Sequence, residues 1–403
     1  MQIMRAFILA AGEGTRMWPL TDTRPKPLIP LGNKPIIEHI LDAIVDSGIR
    51  DISILIGYEG RQIADRYGYE YRGARIDYVY QKERRGTGDA VLYAEKYEDD
   101  RFLIVNGDLY FEKNALREIL SYNNALLGVH KDDASQYGLL LGGENLKEIR
   151  EKVPGSSGLV NAGVYVFERE IFDYLHRVKL SPRGEIEFTD AVNMFAKEHK
   201  VKIVKYSGLW LDIGMPWHLL DATRAYLETL ECGIDGFVEE NVVLKGKVCV
   251  GEGTRIMSGT YIEGPVLIGK NCKIGPNAYI RPYTVIGNGV HIGNSCEIKA
   301  SVIMDNSKIP HFNYVGDSII GERCNLGAGT KIANLRLDEK NIKVPVKDKL
   351  VDTGRRKLGV IMGDDVHTGI NVSIDVGTMI GARTVIGPGA RVKGIVGSGS
   401  RVY

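Results

Sequence analysis

Long apolar runs are missing from this chain: no stretch of about 18 apolar residues occurs, which excludes a helical membrane span. The opening run Ala6 to Ala11 is too short for a secretory signal, and lacks its charged n-region and cleavage site. Charge imbalance is missing too. Lys and Arg number 52 against 51 Asp and Glu, a formal net charge of +1, so there is no basic field to recruit nucleic acid and no basic tail for a membrane surface. Any anion site must therefore be local. Cysteine is scarce: five residues, an odd number without C-x-x-C, argue against a disulfide framework or a zinc site. Together these absences lead us to expect a cytoplasmic protein. Its 403 residues, 44% apolar and 26% charged, are enough for two globular domains with cores of their own.

What is present begins at Leu9-Ala10-Ala11-Gly12-Glu13-Gly14-Thr15-Arg16, closed ten residues later by Arg24-Pro25-Lys26-Pro27. The apolar run Met4 to Ala10 reads as a strand feeding a glycine-rich turn, the place where an α/β sheet binds phosphate. Gly12 and Gly14 let backbone N–H groups approach phosphate oxygens, and Arg16 and Lys26 supply positive charge. The turn is neither a dinucleotide fingerprint nor a P-loop: Trp18-Pro19-Leu20 follows, and no Gly-Lys-Ser/Thr closes it. Pro25, Pro27 and Pro30 predict an extended segment.

Strand and helix signals then alternate, with strands over 4–10, 51–57 and 102–106 and helices over 36–47 and 87–97. That pattern predicts an α/β domain with a mostly parallel sheet over 1–230. A different pattern fills 231–403. From Val238 an aliphatic residue or Met recurs every six residues through Leu244, Val250, Ile256, Ile262, Ile268, Ile274, Ile280, Ile286, Ile292, Ile298 and Met304. A six-residue period suits a parallel β-helix, three hexads to a coil, with the aliphatic of each hexad stacked inward. Cys272, Cys296 and Cys324 each precede an inward aliphatic by two residues and read as small core side chains.

The period breaks twice. It slips after Met304, through Ser307-Lys308-Ile309-Pro310-His311, and breaks again from Leu335 to Gly359 before returning at Met362 and Thr368. Breaks in a solenoid are loops, where function sits on a rigid scaffold. The second holds Arg336, Lys340, Lys343, Lys347, Lys349, Arg355, Arg356 and Lys357, interleaved with Asp338, Glu339, Asp348 and Asp352.

The opening motif resembles the sugar-phosphate nucleotidylyltransferases. The likeness continues at Gln81 with Gly86-Thr87-Gly88, and at Asn106-Gly107-Asp108, Tyr137-Gly138, Glu151-Lys152, Asn161-Ala162-Gly163 and Trp210-Leu211-Asp212-Ile213-Gly214. It implies a Rossmann-like domain in which a sugar 1-phosphate attacks the α-phosphorus of a nucleoside triphosphate and expels pyrophosphate. Leu9, Ala10, Ala11, Gly12, Gly14 and Thr15 would hold the nucleotide. Gln81, Gly86 and Thr87 would complete the base end of that site. Arg16 would stabilise the pyrophosphate and Lys26 the attacking phosphate. Asp108 and Asp212 are hard oxygen donors suited to Mg²⁺. Gly138, Glu151, Lys152 and Asn161 would hold the sugar.

The second half resembles the left-handed hexapeptide acyltransferases, in particular the acetyltransferase domain of the bifunctional enzymes that make UDP-N-acetylglucosamine. The likeness rests on Ser307 to Asp317 and on Asn325-Leu326-Gly327-Ala328-Gly329-Thr330. It implies that His311 is the base that deprotonates an amino-sugar 1-phosphate for attack on acetyl-CoA, a fitting task for imidazole at neutral pH. Arg281, Lys299, Tyr314, Asn325, Asn334 and Lys340 would bind the sugar phosphate, and Ala328 and Thr368 would line the acetyl-CoA channel. Such domains are usually trimers, so a homotrimer is expected.

One motif departs from the bacterial bifunctional enzymes, whose second metal ligand is asparagine. Trp210 to Gly214 instead looks like the glucose-1-phosphate thymidylyltransferases, which leaves UTP and dTTP, and glucosamine or glucose derivatives, all open. Two rival readings remain: a nucleotidylyltransferase whose β-helix serves only oligomerisation or regulation, and a non-catalytic assembly subunit. His311, Asn334 and the basic loop speak against the first. Intact Arg16, Lys26, Asp108 and Asp212 speak against the second.

Overall fold

The structure, a computed structural model, describes residues 4–403 apart from 183 and 348, so Asp348 of the basic loop lies outside the described residues. The compact units are not two consecutive stretches of chain. One comprises Met1–Glu13 with Ile36–Asp212, the other Gly14–Pro35 with Ile213–Tyr403, so the glycine-rich motif is divided between Glu13 and Gly14. No described helix is long and apolar enough to cross a membrane.

The first unit is built on a ten-stranded mixed sheet. Strand Met4–Ala10 is its centre, parallel to Asp51–Ile56 on one side and to Arg101–Asn106 on the other. Ala74–Tyr80 extends the parallel part, and Gly158–Glu168 runs antiparallel to Arg101–Asn106. These central strands are buried on both faces, which explains their unbroken apolar sequence. The chain first steps from Met4–Ala10 through Asp51–Ile56 to Ala74–Tyr80, then crosses back to place Arg101–Asn106 on the opposite flank. Gly12 and Asp108 follow the two strands at which the order reverses, the customary ligand position of such sheets. Helix Ile36–Asp46 matches expectation closely. The helix expected over 87–97 ends at Leu92, because Ala94 and Tyr97 turn back to Val91 and Ala94 in tighter three-residue bonds.

In the second unit Phe237 to Val402 form three parallel sheets of nine, eight and eight short strands, a left-handed parallel β-helix of hexapeptide repeats. Val248 faces Val266, which faces Thr284, eighteen residues per coil. The hexad aliphatics form one continuous buried stack with Cys272, Cys296 and Cys324 among them, as expected. Most corners carry a left-handed residue three positions before the inward aliphatic, for example Asn271 before Ile274, Asn277 before Ile280, Asn306 before Ile309, Asn371 before Ile374 and Phe312 before Val315. Asparagine and glycine tolerate that conformation best, which favours them in the repeat, but the coil imposes it on Tyr283, Ser295, Ala300, Arg323 and Arg383 as well.

Four expectations are corrected. The first register slip precedes Met304: Ile303, not Met304, faces Ile286 and then Ile320, because the corner through Lys299 and Ala300 is one residue short. His311 accordingly ends a regular strand, Lys308–His311, rather than lying in a loop. The proline-rich segment is not extended throughout, since Thr15–Met17 and Lys26–Leu28 close 3-10 turns, the second entered from an extended Pro25. Finally, Cys232 and Cys249 are disulfide-bonded, although the other three thiols are free and buried. The β-helix register sets this pair: Ile234 bridges Val250, which lays the entering chain beside the first full coil.

Candidate active sites

In the first unit the sequence motifs meet along the carboxyl edge of the parallel strands. Leu9 and Ala10 end their strand, Ala11 is buried and Gly12 exposed. The Gly107 N–H donates to Leu9 O at 2.9 Å, and a Cβ on Gly57 would lie 2.6 Å from Ala11 O, so small residues keep this edge open. Asp108 follows directly. The short antiparallel pair Leu109–Phe111 with Trp210–Asp212 sets Asp212 opposite Leu109, next to Asp108.

Gly138 faces Glu151 in an antiparallel ladder, and a Cβ on Gly138 would lie 3.0 Å from Glu151 Oε1. Asn161 Nδ2 donates to the Tyr165 hydroxyl at 2.7 Å, and burial, aided by the Glu151 charge, pushes that phenol well above its usual range. Gly138, Glu151 and Asn161 are thus brought together. Lys152 follows Glu151 in a left-handed conformation, with an exposed side chain. Asp212 is tied to this region through Trp210, whose Nε1 donates to Ala162 O at 3.0 Å and whose ring meets Tyr137 edge-on. Burial pushes the Tyr137 phenol up to about 12, and Asp212 adds to the effect.

The residues expected at the base behave differently. Gln81 is buried, and its amide donates to Asp89 at 3.2 Å. Gly86 adopts φ +113°, and a Cβ there would collide with Ile186 O. The Thr87 hydroxyl accepts the Phe188 N–H at 3.0 Å, so it caps a helix. These three residues shape the rim more than they offer free polar groups.

Gly14, Thr15, Arg16 and Lys26 belong to the second unit. Gly14 is left-handed, and a Cβ there would press at 3.0 Å on both Lys26 Cβ and Thr21 Cγ2. Thr15 and Arg16 are exposed, whereas Lys26 is 8% exposed. Both cations act on His218: burial depresses its imidazole pKa, Asp221 opposes the shift, and Lys26, Arg16 and Arg355 reinforce it. One small region of this unit therefore concentrates positive charge.

The second cluster is built from successive coils of the β-helix. Three consecutive corners of one edge are irregular. Those at Lys299–Ala300 and Gly316–Asp317 are one residue short, and the next carries the insertion that begins at Leu335. Arg281, Lys299 and Asn334 project there with Tyr314. Arg281 pairs with Glu297 at 2.9 Å, Lys299 with Asp317 at 3.5 Å, and Asn334 Nδ2 donates to Asp317 at 2.6 Å. Burial lowers the Lys299 pKa, with Asp317 opposing and Lys357 and Arg281 reinforcing.

His311 is exposed beside Asn294 of the previous coil, and its carbonyl accepts the Gly329 N–H at 3.0 Å. Phe312 follows in a left-handed conformation, φ +53°, with its ring 57% exposed. It lines an open pocket of about 590 Å³ with Ala328, Gly329, Lys331, Ile370, Asn371 and Ser373. Asn325 lies one strand away, between Lys308 and His367. Two expected residues stand apart. Thr368 stacks inward between Leu326 and Ile386, bonded to Thr330 and to the Gly327 N–H, so its hydroxyl is withdrawn from the pocket. Lys340 is exposed in the insertion, after the Arg336–Asp338 pair.

Both halves of the chain match known families. Residues 5–229 match the family described as nucleotidyl transferase, and 262–375 match one described as GMPPB C-terminal domain. A Sulfurisphaera tokodaii protein named bifunctional sugar-1-phosphate nucleotidylyltransferase/acetyltransferase is 48% identical over 98% of this chain and 99% of its own length. The chain belongs to this bifunctional family. A second member, a Methanocaldococcus jannaschii protein named bifunctional protein GlmU, is 44% identical over 99% of this chain and 97% of its own. Among solved structures, a Bacillus anthracis protein assigned as a glucose-1-phosphate thymidylyltransferase is 28% identical with a TM-score of 0.51, covering 57% of this chain and 97% of its own. A UDP-glucose pyrophosphorylase structure, 24% identical with a TM-score of 0.52, shares the fold.

Within these two clusters, sequence reasoning missed two cations. Lys131 Nζ lies 4.9 Å above the Trp210 ring, beside Asp212, where burial lowers its pKa and Asp212 opposes the shift. Lys357 was only one member of the basic loop, yet the antiparallel bridge from Leu335 to Lys357 returns the insertion to the Asn334 corner. No sequence pattern signals either, since each depends on a partner distant in the chain. Within the loop Arg336 pairs with Asp338 and Arg356 with Glu339, whereas Arg355 reaches out to Asp221 of helix His218–Thr229.

Mg²⁺ fits the donors present. Among the described residues no group of three or more His, Cys, Asp or Glu side chains is arranged for a metal. Two carboxylates suit an ion that keeps several waters and takes its other ligands from substrate phosphates.

Proposed function

We propose that the chain transfers a nucleotidyl group from UTP or dTTP to a sugar 1-phosphate, N-acetylglucosamine 1-phosphate or glucose 1-phosphate, releasing pyrophosphate. We further propose that its β-helix N-acetylates glucosamine 1-phosphate, or a related amino-sugar 1-phosphate, with acetyl-CoA. The observation that supports the pairing most strongly is the convergence of Arg281, Lys299, Tyr314 and Asn334 on one irregular β-helix edge, with His311 on the coil of Tyr314 and a pocket beginning at its neighbour Phe312. A β-helix serving oligomerisation alone has no use for that arrangement.

In nucleotidyl transfer a phosphate oxygen of the sugar 1-phosphate attacks the α-phosphorus, and the bond to the β-phosphate oxygen breaks. A phosphate monoester is already nucleophilic, so positioning and charge neutralisation carry the step. Lys26 orients the attacking phosphate, Arg16 neutralises the leaving pyrophosphate, and Glu151 and Asn161 hold sugar hydroxyls. Asp108 and Asp212 would hold Mg²⁺, which supplies further neutralisation of phosphate charge. In acetyl transfer His311 takes a proton from the amine, the nitrogen attacks the thioester carbonyl, and the C–S bond breaks to release CoA. Ala328 and Phe312 flank the thioester's approach. We also propose a functional division of the chain at 230/231, just past the end of the nucleotidyl transferase match, with a homotrimer assembled through the β-helix, a cytoplasmic setting, and small molecules rather than nucleic acid or membrane as partners.

Two variants test the reading. His311→Ala should abolish CoA release from acetyl-CoA and glucosamine 1-phosphate while pyrophosphate release survives, and Asp108→Ala should do the reverse. Persistent CoA release in the first, or near wild-type pyrophosphate release in the second, would sink the corresponding half.

A further inference from the structure

Arg24 stands two residues before Lys26, in a motif otherwise concerned with phosphate. Its guanidinium is not offered to a ligand. The side chain is 9% exposed, Nη1 lies 2.5 Å from Glu322 Oε1, and Nη2 pairs with Asp364, itself 5% exposed. Asp364 also accepts the Thr23 hydroxyl at 2.5 Å and, through its other oxygen, the Glu322 N–H at 2.8 Å. Neighbouring residues fasten the same segment along the β-helix. Asp22 accepts the Ala382 N–H at 2.9 Å and the Ser398 hydroxyl, and Asn33 Nδ2 donates to Ile286 O at 2.8 Å.

We propose that Arg24 is a positioning residue for Lys26, and that the β-helix coils carrying Glu322 and Asp364 are thereby part of the nucleotidyl-transfer machinery. The inference rests on the nucleotidyl-transfer reading above. The link between anchor and cation is stiff. Pro25 has a ring-fixed φ of −69°, and Lys26 enters a 3-10 turn closed by Leu28 N–H to Pro25 O at 2.9 Å and Ile29 N–H to Lys26 O at 3.0 Å. A movement of the guanidinium is therefore passed to Lys26 rather than absorbed. Two carboxylates also neutralise Arg24 locally, so the motif keeps Arg16 and Lys26 as the cations for phosphate. Displacing a substrate-holding cation by a fraction of an ångström is enough to slow such a reaction.

The test uses the full chain and both activities. Asp364→Asn keeps the volume and removes the charge, and is expected to lower kcat for pyrophosphate release about ten-fold while CoA release stays within about two-fold. In a Lys26→Ala background the same substitution should cost nothing further, because groups that act as a unit are not additive. Arg24→Lys, which retains charge but loses the fork, should fall between wild type and Asp364→Asn. Should Asp364→Asn fail to fold, shown by loss of CoA release, the more exposed Glu322→Gln carries the same comparison. Parallel loss of both activities in the folded Glu322→Gln variant, an undiminished Asp364→Asn effect without Lys26, or unchanged pyrophosphate release would each overturn the proposal. Absence of pyrophosphate release from the wild-type chain would instead overturn the nucleotidyl-transfer reading itself.

Discussion

The ammonium of Lys299 lies 3.5 Å from the carboxylate of Asp317, one coil further along the same corner of the β-helix. Both stand at corners one residue shorter than their neighbours, so the shortening and the ion pair are one feature. Asp317 also accepts Asn334 and carries, on its backbone oxygen, the Gly359 N–H that closes the insertion.

Asp317→Ala should therefore act on stability and on one activity only. It strips a nearly buried carboxylate from Lys299 and Asn334, at a cost of about 2 kcal/mol. Urea unfolding would show the loss, and CoA release should fall while pyrophosphate release is preserved. A fall in both activities at a concentration of urea where the variant is fully folded would contradict the separation.

Lys357 and Lys340 make a discriminating pair. The Leu335–Lys357 bridge puts Lys357 at the Asn334 corner, beside Lys299, whereas Lys340 is exposed in the insertion. Lys357→Ala should raise KM for glucosamine 1-phosphate about ten-fold, as expected for loss of a cation contacting a phosphate. Lys340→Ala should raise it less. The reverse order would mean that the insertion folds over its own neck on binding.

Gly86→Ala tests a backbone requirement at the base end. Its φ of +113° is strained for any L side chain, and the new Cβ meets Ile186 O. The substitution should destabilise the chain by about 1–3 kcal/mol and raise KM for the nucleotide, measured as pyrophosphate release against UTP and dTTP.

Stability should fall with acid through the imidazole range. Burial holds the His218 pKa low, with Asp221 opposing and Lys26, Arg16 and Arg355 adding to it. Burial does the same at His291, helped by Lys273, His311 and Lys308. The unfolded chain thus takes up these protons at higher pH than the folded one. The stability is present above about pH 6.5 and lost as pH falls through and below that value. Carboxylates held low, such as Asp365 beside Arg323, withdraw their contribution only under stronger acid. Melting temperatures measured between pH 7 and pH 5 should decline, and a His218→Gln/His291→Gln double variant should flatten the curve.

Chelation separates the two chemistries. EDTA should stop pyrophosphate release and leave CoA release intact, with added Mg²⁺ restoring the first. Loss of CoA release under EDTA would contradict that separation.

Much of this was legible in the residues. The hexad period named the β-helix, because each inward aliphatic must stack on its equivalents, and the Asn and Gly residues at many corners mark the left-handed turns between strands. The opening motif and Asp108 marked the carboxyl edge of a parallel sheet, since an apolar strand followed by glycine has few other uses there. Thr368 misled for the same reason that the repeat was readable: it occupies an inward hexad position, and a threonine obeying that rule turns its hydroxyl to Thr330.

Sequence by itself determined the local periodicities, and with them the fold class, because strand pleat and coil length repeat over a few residues. It also determined which side chains could do chemistry, since that depends on residue type. Tertiary structure alone decided which of those side chains act together. Arg24 meets Asp364 across 340 positions, and Lys357 returns to Asn334 only after an insertion closes. It also decided where the glycine-rich motif divides, between Glu13 and Gly14. Such pairings are set by packing over long loops, for which no short-range pattern exists in the chain.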